Sequence, residues 1–555
     1  MRFLYLIIVV SLLTGCQQST VDKKAAAWQS NYVSQVWRPD NGDGTYRNPI
    51  IHADYSDPDV VRVGDDFYMT ASSFNCSPAL PILHSKDLVN WQLVSHALRR
   101  NTPADVFAKP QHGKGVWAPC IRYRQDEFYI YWGDPDFGVY MIKAKDPLGR
   151  WSDPVLVLPG KGIIDPCPLW DEDGNTYLVT AWAGSRAGFN SILTVWRMNA
   201  GGTEVIDHGK HVFDGHDRHH TVEGPKFYKR QGYYYIFAPA GGVAEGWQLA
   251  LRSKDIYGPY EEKVVMAQGR TDINGPHQGG YVETQTGEPW FLHFQDKGAY
   301  GRIIHLNPVS WVDGWPVIGM DGDGDLCGEP VHAHAKPNVG RAWPAANPAE
   351  SDGFDTDTLG LQWQWAANER PNWSVLLRGK GYLRLFAWPG PEAGMRLWDL
   401  PNVLMQKFPA PGFTATAKIK FTVEWDVWQG KQTGLVVMGN DYAYLSLGKD
   451  ERGYKVRQVV CKDANTGGTE SVVAEARVST NELYLRVDVT APDAGCRFSF
   501  SEDGTAFTPI GGEHMARPEL WIGAKIGLFA TAEPGFRNGG YADVDWVRIE
   551  RQTGK

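Results

Sequence analysis

The 555-residue sequence has no apolar run long enough to cross a bilayer, which takes about 20 residues. It has no surplus of basic charge either. Its 55 Lys and Arg stand against 64 Asp and Glu, a net charge of −9, so the basic stripe of a nucleic-acid binder is missing. Its seven cysteines contain no C-x-x-C pair, which leaves a zinc or thioredoxin-like site unsupported. There is no G-x-S-x-G elbow, no G-x-x-x-x-G-K-[ST] loop and no H-E-x-x-H, so three common routes to hydrolase or nucleotide chemistry are closed. What is plentiful is turn formers and rings: 61 Gly, 35 Pro, 23 Trp, and 12% aromatic residues in all. That composition favours an all-β protein with a concave, ring-binding surface.

Residues 1–15 have the form of an export leader, with Arg2 before the apolar stretch from Phe3 to Leu13. Leu13-Thr14-Gly15-Cys16 resembles a bacterial lipobox. Cys16 is therefore the expected lipidation site of an exported lipoprotein, held on a bacterial membrane at the periplasmic side or the cell surface. Residues 16–45 are expected to form a tether. The other six cysteines (76, 120, 167, 327, 461 and 496) are even in number, which leaves both disulfides and buried thiols open.

Five segments share one pattern of approach motif, short strand, tight turn and aromatic strand. They open at Asp57-Pro58-Asp59, Trp117-Ala118-Pro119, Asp165-Pro166-Cys167, Glu223-Gly224-Pro225 and Gly275-Pro276-His277. Hairpin repeats of that length predict a five-bladed β-propeller over 46–334. The first strand of each blade lines a propeller's central channel, so Asp57, Asp165, Glu223 and His277 should converge at one end of it. Residues 335–352, rich in Pro and Ala, read as a linker or strap. Alternating strands from 353 to 551 predict a jelly-roll β-sandwich.

Three carboxylates in separate blades suit glycoside hydrolysis. That reaction needs one acid to protonate the leaving oxygen and a second carboxylate across the sugar ring, with environments that separate their proton affinities. At this point a resemblance is specific. Asn48-Pro49-Ile50, Ser56-Asp57-Pro58-Asp59, Arg62-Val63-Gly64-Asp65-Asp66-Phe67-Tyr68, Trp117-Ala118-Pro119, Ile164-Asp165-Pro166, Glu223-Gly224-Pro225, Gly301-Arg302 and Asp313-Gly314-Trp315-Pro316 resemble glycoside hydrolase family 43. The likeness is to its β-xylosidase and α-L-arabinofuranosidase branch with a C-terminal concanavalin A-like sandwich. The resemblance implies inversion, with Asp57 as general base, Glu223 as general acid and Asp165 raising the acid's pKa and orienting it. A base–acid gap of roughly 6.5–9.5 Å goes with inversion. It also implies that Arg302 and His277 bind substrate, and the rings of Phe74 and Trp117 are expected to form an apolar floor against a pentose face. No cofactor is required, and His277 marks a water-mediated calcium in the channel as the one metal to look for.

The expected reaction is exo-acting release of terminal α-L-arabinofuranose, or of β-D-xylose, from arabinoxylan, arabinan, xyloglucan or xylo-oligosaccharides. Two rivals remain. One is a non-catalytic glycan-binding lipoprotein on the same folds, against which the intact carboxylate trio speaks. The other is a retaining fructan hydrolase, whose Asn-Asp-Pro-Asn-Gly and Arg-Asp-Pro motifs are absent here. Asp321-Gly322-Asp323-Gly324-Asp325 looks calcium-like but lacks the Gly and Glu that an EF-hand loop needs at positions 6 and 12, so it reads as a turn. His208, His211, His216, His219 and His220 fit no zinc spacing and read as a solvated loop near the pocket.

Overall fold

A computed structural model describes residues 32–377, 379–390, 392, 394–423, 428–535 and 539–552. The leader and Cys16 lie outside the described residues. Five four-stranded antiparallel sheets follow in strict chain order. Blade one runs from Asp59–Val63 to Trp91–Leu98, blade two from Trp117–Arg124 to Val155–Pro159, and blade three from Ile163–Trp170 to Lys210–Asp214. Blade four spans Lys226–Arg230 to Glu261–Met266, and blade five His277–Glu283 to Trp315–Ile318. The inner hairpins turn tightly for a local reason. Gln125 and Asp126, and again Gln231 and Gly232, all have positive φ, as a two-residue type I′ turn requires.

Five apolar wedges hold the ring, one between each pair of neighbouring blades. Ile82 and Tyr68 meet Ile130 and Trp132 between blades one and two. Tyr131 and Met141 meet Leu178 and Trp196 between two and three. Val179 and Val195 meet Phe227 and Ile236 at the next seam, and Tyr235 and Phe237 meet Phe291 and Ile318 after it. Leu292, Phe294 and Ile304 then meet Val60, Phe67 and Leu83, which closes the circle. Strand Thr45–Arg47, paired with Ala333–Ala335, ties the start of the propeller to its end.

The remaining chain forms two sheets packed around a core that includes Leu435, Leu445, Phe413, Leu485, Leu528 and Val544, with a second apolar cluster around Trp398, Tyr442, Tyr444 and Phe529. The sandwich is docked on blade one. Trp365 and Ser77 exchange backbone hydrogen bonds (3.0 and 2.6 Å), and Asn101 and Asn368 bond each other across the seam. The segment before residue 353 is a strap rather than a free linker: Ala346 N–H donates to Asn90 (3.2 Å), and Lys336 pairs with Asp40 and Asp87. The expected tether is too long at its far end. From Ser34 onward the chain is fixed, with Ser34 Oγ donating to buried Glu350 (2.8 Å) and the Arg47 guanidinium over the Trp37 ring. All six described cysteines are free thiols, five of them buried. The Asp321 loop is a turn, its carboxylate accepting from the Gly324 and Leu326 N–H groups.

Candidate active site

The blades open on a repeated backbone device. Asp57 (φ 55°), Ala118 (40°), Asp165 (57°), Gly224 (58°) and Gln278 (39°) are all left-handed. In blades two, three and five the ladder slips at that point, between Trp117 and Cys120, Ile164 and Cys167, and His277 and Gly279. A left-handed residue costs little for Gly and is tolerated by Asp, and strain of this kind re-aims the neighbouring side chains at functional sites. In blades one and three the left-handed residue is itself an acid. In blades two, four and five the residue before it is Trp117, Glu223 and His277.

The oxygens of Asp57 face donors. Ser56 Oγ (2.8 Å) and Ser72 Oγ (2.6 Å) donate to Oδ2, and Arg302 Nη1 lies 3.2 Å from Oδ1. Arg302 is buried, also donates to Ser56 Oγ (2.7 Å), and keeps an Nε–H unbonded to protein. Asp54 fixes its backbone, accepting from Arg302 N at 3.0 Å.

Asp165 and Glu223 form the opposite group. Asp165 is buried and accepts from Gly224 N (2.7 Å). Burial pushes its carboxyl up to about 8, the adjacent Glu223 charge and then Asp57 add to the rise, and Gly224 N–H and Lys226 oppose it. Glu223 is one-third exposed, and its Oε1 lies 3.0 Å from Nε2 of fully buried His277. Asp165 is the more deeply buried of the two carboxyls. Below the mouth, Asp59 pairs with Arg122 at 2.6 Å beside the fully buried Lys226.

Phe74 (φ 51°) is buried, its backbone bridged to Val116. Trp117 stands above it, its indole N–H on Gly113 O (2.7 Å). The unbonded polar atoms near His277 are its own Nδ1, Gln278 Nε2 and His293 Nε2, so a calcium beside it would draw its oxygen ligands from water.

Two features escaped the sequence reading. Ser72 lies far along the chain from the acid it supports. The other is a sandwich loop, 517–522, that overhangs the mouth. Trp521 packs edge-on to Trp117 (centroids 6.2 Å apart) and its ring lies 5.4 Å from the Arg302 guanidinium. Together with Asp296, Arg302, His112 and Trp398 the loop lines a cavity of about 630 Å³. Of the expected site residues, Asp57, Asp165, Glu223, His277 and Arg302 come together; Phe74 is buried with its backbone bridged to Val116, and Trp117 packs on Trp521.

Comparison with known proteins agrees with this architecture. The description "Glycosyl hydrolases family 43" matches residues 46–316, and "Beta xylosidase C-terminal Concanavalin A-like domain" matches 351–550. A β-xylosidase of Formosa agariphila is 33% identical over 597 residues, covering 99% of this chain and 98% of the relative. A non-reducing-end α-L-arabinofuranosidase of Bacteroides ovatus is 31% identical over 526 residues, covering 90% and 94%. The crystal structure of the GH43 protein BlXynB of Bacillus licheniformis superposes with a TM-score of 0.79 at 29% identity, covering 91% of this chain and all of that one. With a five-bladed propeller, a docked sandwich and these matches along nearly its whole length, the chain belongs to glycoside hydrolase family 43 and is a glycosidase.

Proposed function

We propose that the enzyme removes a terminal pentose from xylan- or arabinan-type glycans with inversion at the anomeric carbon. The observation that carries this reading is the contrast between two acidic groups at one mouth. Asp57 accepts from two hydroxyls beside a guanidinium, while Asp165, buried next to Glu223, holds its proton into the neutral range. Glu223, the more exposed of the two and 3.0 Å from His277, is the carboxyl placed to deliver a proton to the departing oxygen. Asp57 takes a proton from water, which attacks the opposite face of the sugar. His277 orients Glu223, and Arg302 holds Asp57. The Trp521 loop across the mouth favours a chain end over an internal stretch of polymer, hence exo action.

The pentose itself is a choice between two. The sequence alone leans toward arabinofuranose. The Formosa agariphila relative is named a β-xylosidase and covers the chain almost completely, so we place β-D-xylose first; the Bacteroides ovatus relative keeps α-L-arabinofuranose as the second reading. Turnover of aryl β-D-xyloside and aryl α-L-arabinofuranoside, with the fresh product's anomer followed by NMR, tests both points. Retention of configuration would sink the mechanism, and binding without turnover on either would favour a glycan-binding protein. Export as a Cys16-anchored lipoprotein belongs to the same proposal. A Cys16→Ser variant should leave the membrane fraction for the soluble one.

A further inference from the structure

The Trp521 loop is held to the propeller by a contact that the reaction itself does not use. His112 sits in blade two's approach segment, left-handed at φ 34°. Its Nδ1 lies 3.0 Å from Oε2 of Glu519, a sandwich carboxylate only 4% exposed. Its Nε2 lies 3.1 Å from the Trp398 carbonyl, and its ring stacks flat on the Trp398 indole (3.7 Å, 6°). One propeller side chain therefore grips two separate sandwich segments. Next to it the backbones touch: a Cβ on Gly113 would lie 2.7 Å from Leu520 O.

Glu519 is built for this partner. Burial works to raise its carboxyl, but the His112 hydrogen bond and the charges of His112 and Lys525 outweigh burial and hold it below the usual range. Glu519 N–H also closes a turn on Ile522 O (2.8 Å). That turn presents Trp521 at φ 67°, an uncommon backbone for a bulky residue that persists only when its surroundings enforce it. The far end of the loop is pinned as well, with Gly523 N donating to Asp54 (2.9 Å), the carboxylate that also holds Arg302. The strained tip thus lies between two clamps, and the His112 clamp adjoins the Trp117 wall.

We propose that His112 is a positioning residue for this glycosidase: through Glu519 it fixes the pose of the sandwich loop, so that Trp521 forms one wall of the sugar pocket. This rests on the functional reading above. The wall contacts the sugar in ground state and transition state alike, so its loss acts mainly on KM.

The test is a double-mutant cycle in the full-length enzyme with whichever aryl pentoside it turns over. His112→Ala and Trp521→Ala should each raise KM by about tenfold with kcat within about threefold. In the Trp521→Ala background, His112→Ala should add less than about twofold. His112→Asn, whose side-chain N–H can replace Nδ1–H and whose backbone tolerates the left-handed region, should return KM to within about threefold of the parent. Amide hydrogen exchange over 513–524 should quicken in His112→Ala and not in His112→Asn. Additive KM effects would mean that His112 acts on its own and would overturn the proposal; so would unchanged KM and exchange in His112→Ala. If the parent enzyme turns over neither pentoside, the functional reading fails instead. The exchange comparison then decides the clamp alone, and unchanged exchange in His112→Ala overturns it.

Discussion

The propeller and the sandwich solve burial in opposite ways. The sandwich packs its main apolar core between two sheets. The propeller divides its apolar side chains into five seams and keeps its axis polar, with Asp57, Asp59, Asp165, Lys226 and His277 all buried there. Buried charges are costly unless paired and hydrogen-bonded. The propeller therefore hosts the chemistry at a cost in stability, while the sandwich contributes a solid support and one loop.

That contrast can be broken on either side. Substituting Asp57→Asn or Glu223→Gln should lower kcat by about 10²–10⁴-fold, the range for loss of a general base or acid, with the melting temperature little changed. Activity of the folded variant close to the parent's would remove the residue from the mechanism. On the sandwich side, Leu445→Ala should cost about 2–5 kcal/mol in a denaturant titration, as cavities in a close-packed core do, and leave kcat of the folded protein near the parent's. A core deletion that cost nothing would deny the sandwich its supporting role. Within the axis, Asp59→Asn would leave the partly buried Arg122 and the fully buried Lys226 without their carboxylate. A loss of about 3–5 kcal/mol is expected for breaking such a pair, comparable to the sandwich deletion although no methyl group has gone.

The comparison is sharpened further through pH. Asp165 has its pKa raised on folding, to about 8, so the folded state holds a proton that the unfolded chain releases above the ordinary carboxylate range. Stability from this source is complete at acid pH and falls as pH rises through about 8. Asp165→Asn should flatten that fall, melting higher than the parent at alkaline pH and working far more slowly. Parallel melting profiles for the two proteins across this range would disprove the buried, protonated carboxyl.

Much of this was legible before any coordinates. Each blade opening repeats an approach motif in the sequence, and each of the three acids stands at one of these openings, Asp57 and Asp165 on the left-handed residue and Glu223 just before it, so convergence at one mouth followed from the propeller alone. The tether was drawn too long because residues 32–45 are polar and short of strand pattern, yet Ser34 and Lys336 fix them through partners about 300 residues away. The pairing of His112 with Glu519, 407 residues apart, is invisible to periodicity for the same reason. Nothing local in the run around Trp521 marks it as facing another domain.

The left-handed turn that opens each blade also decides which replacements are informative. Threonine, valine or isoleucine at 57 or 165 would disturb the main chain as well as the chemistry, and the two losses could not be told apart. Asparagine accepts the same dihedral angles as aspartate and differs from it chiefly in charge. At these two positions an amide swap reports on electrostatics with the scaffold held constant, which makes the pair a natural starting point for anyone retuning the enzyme's working pH.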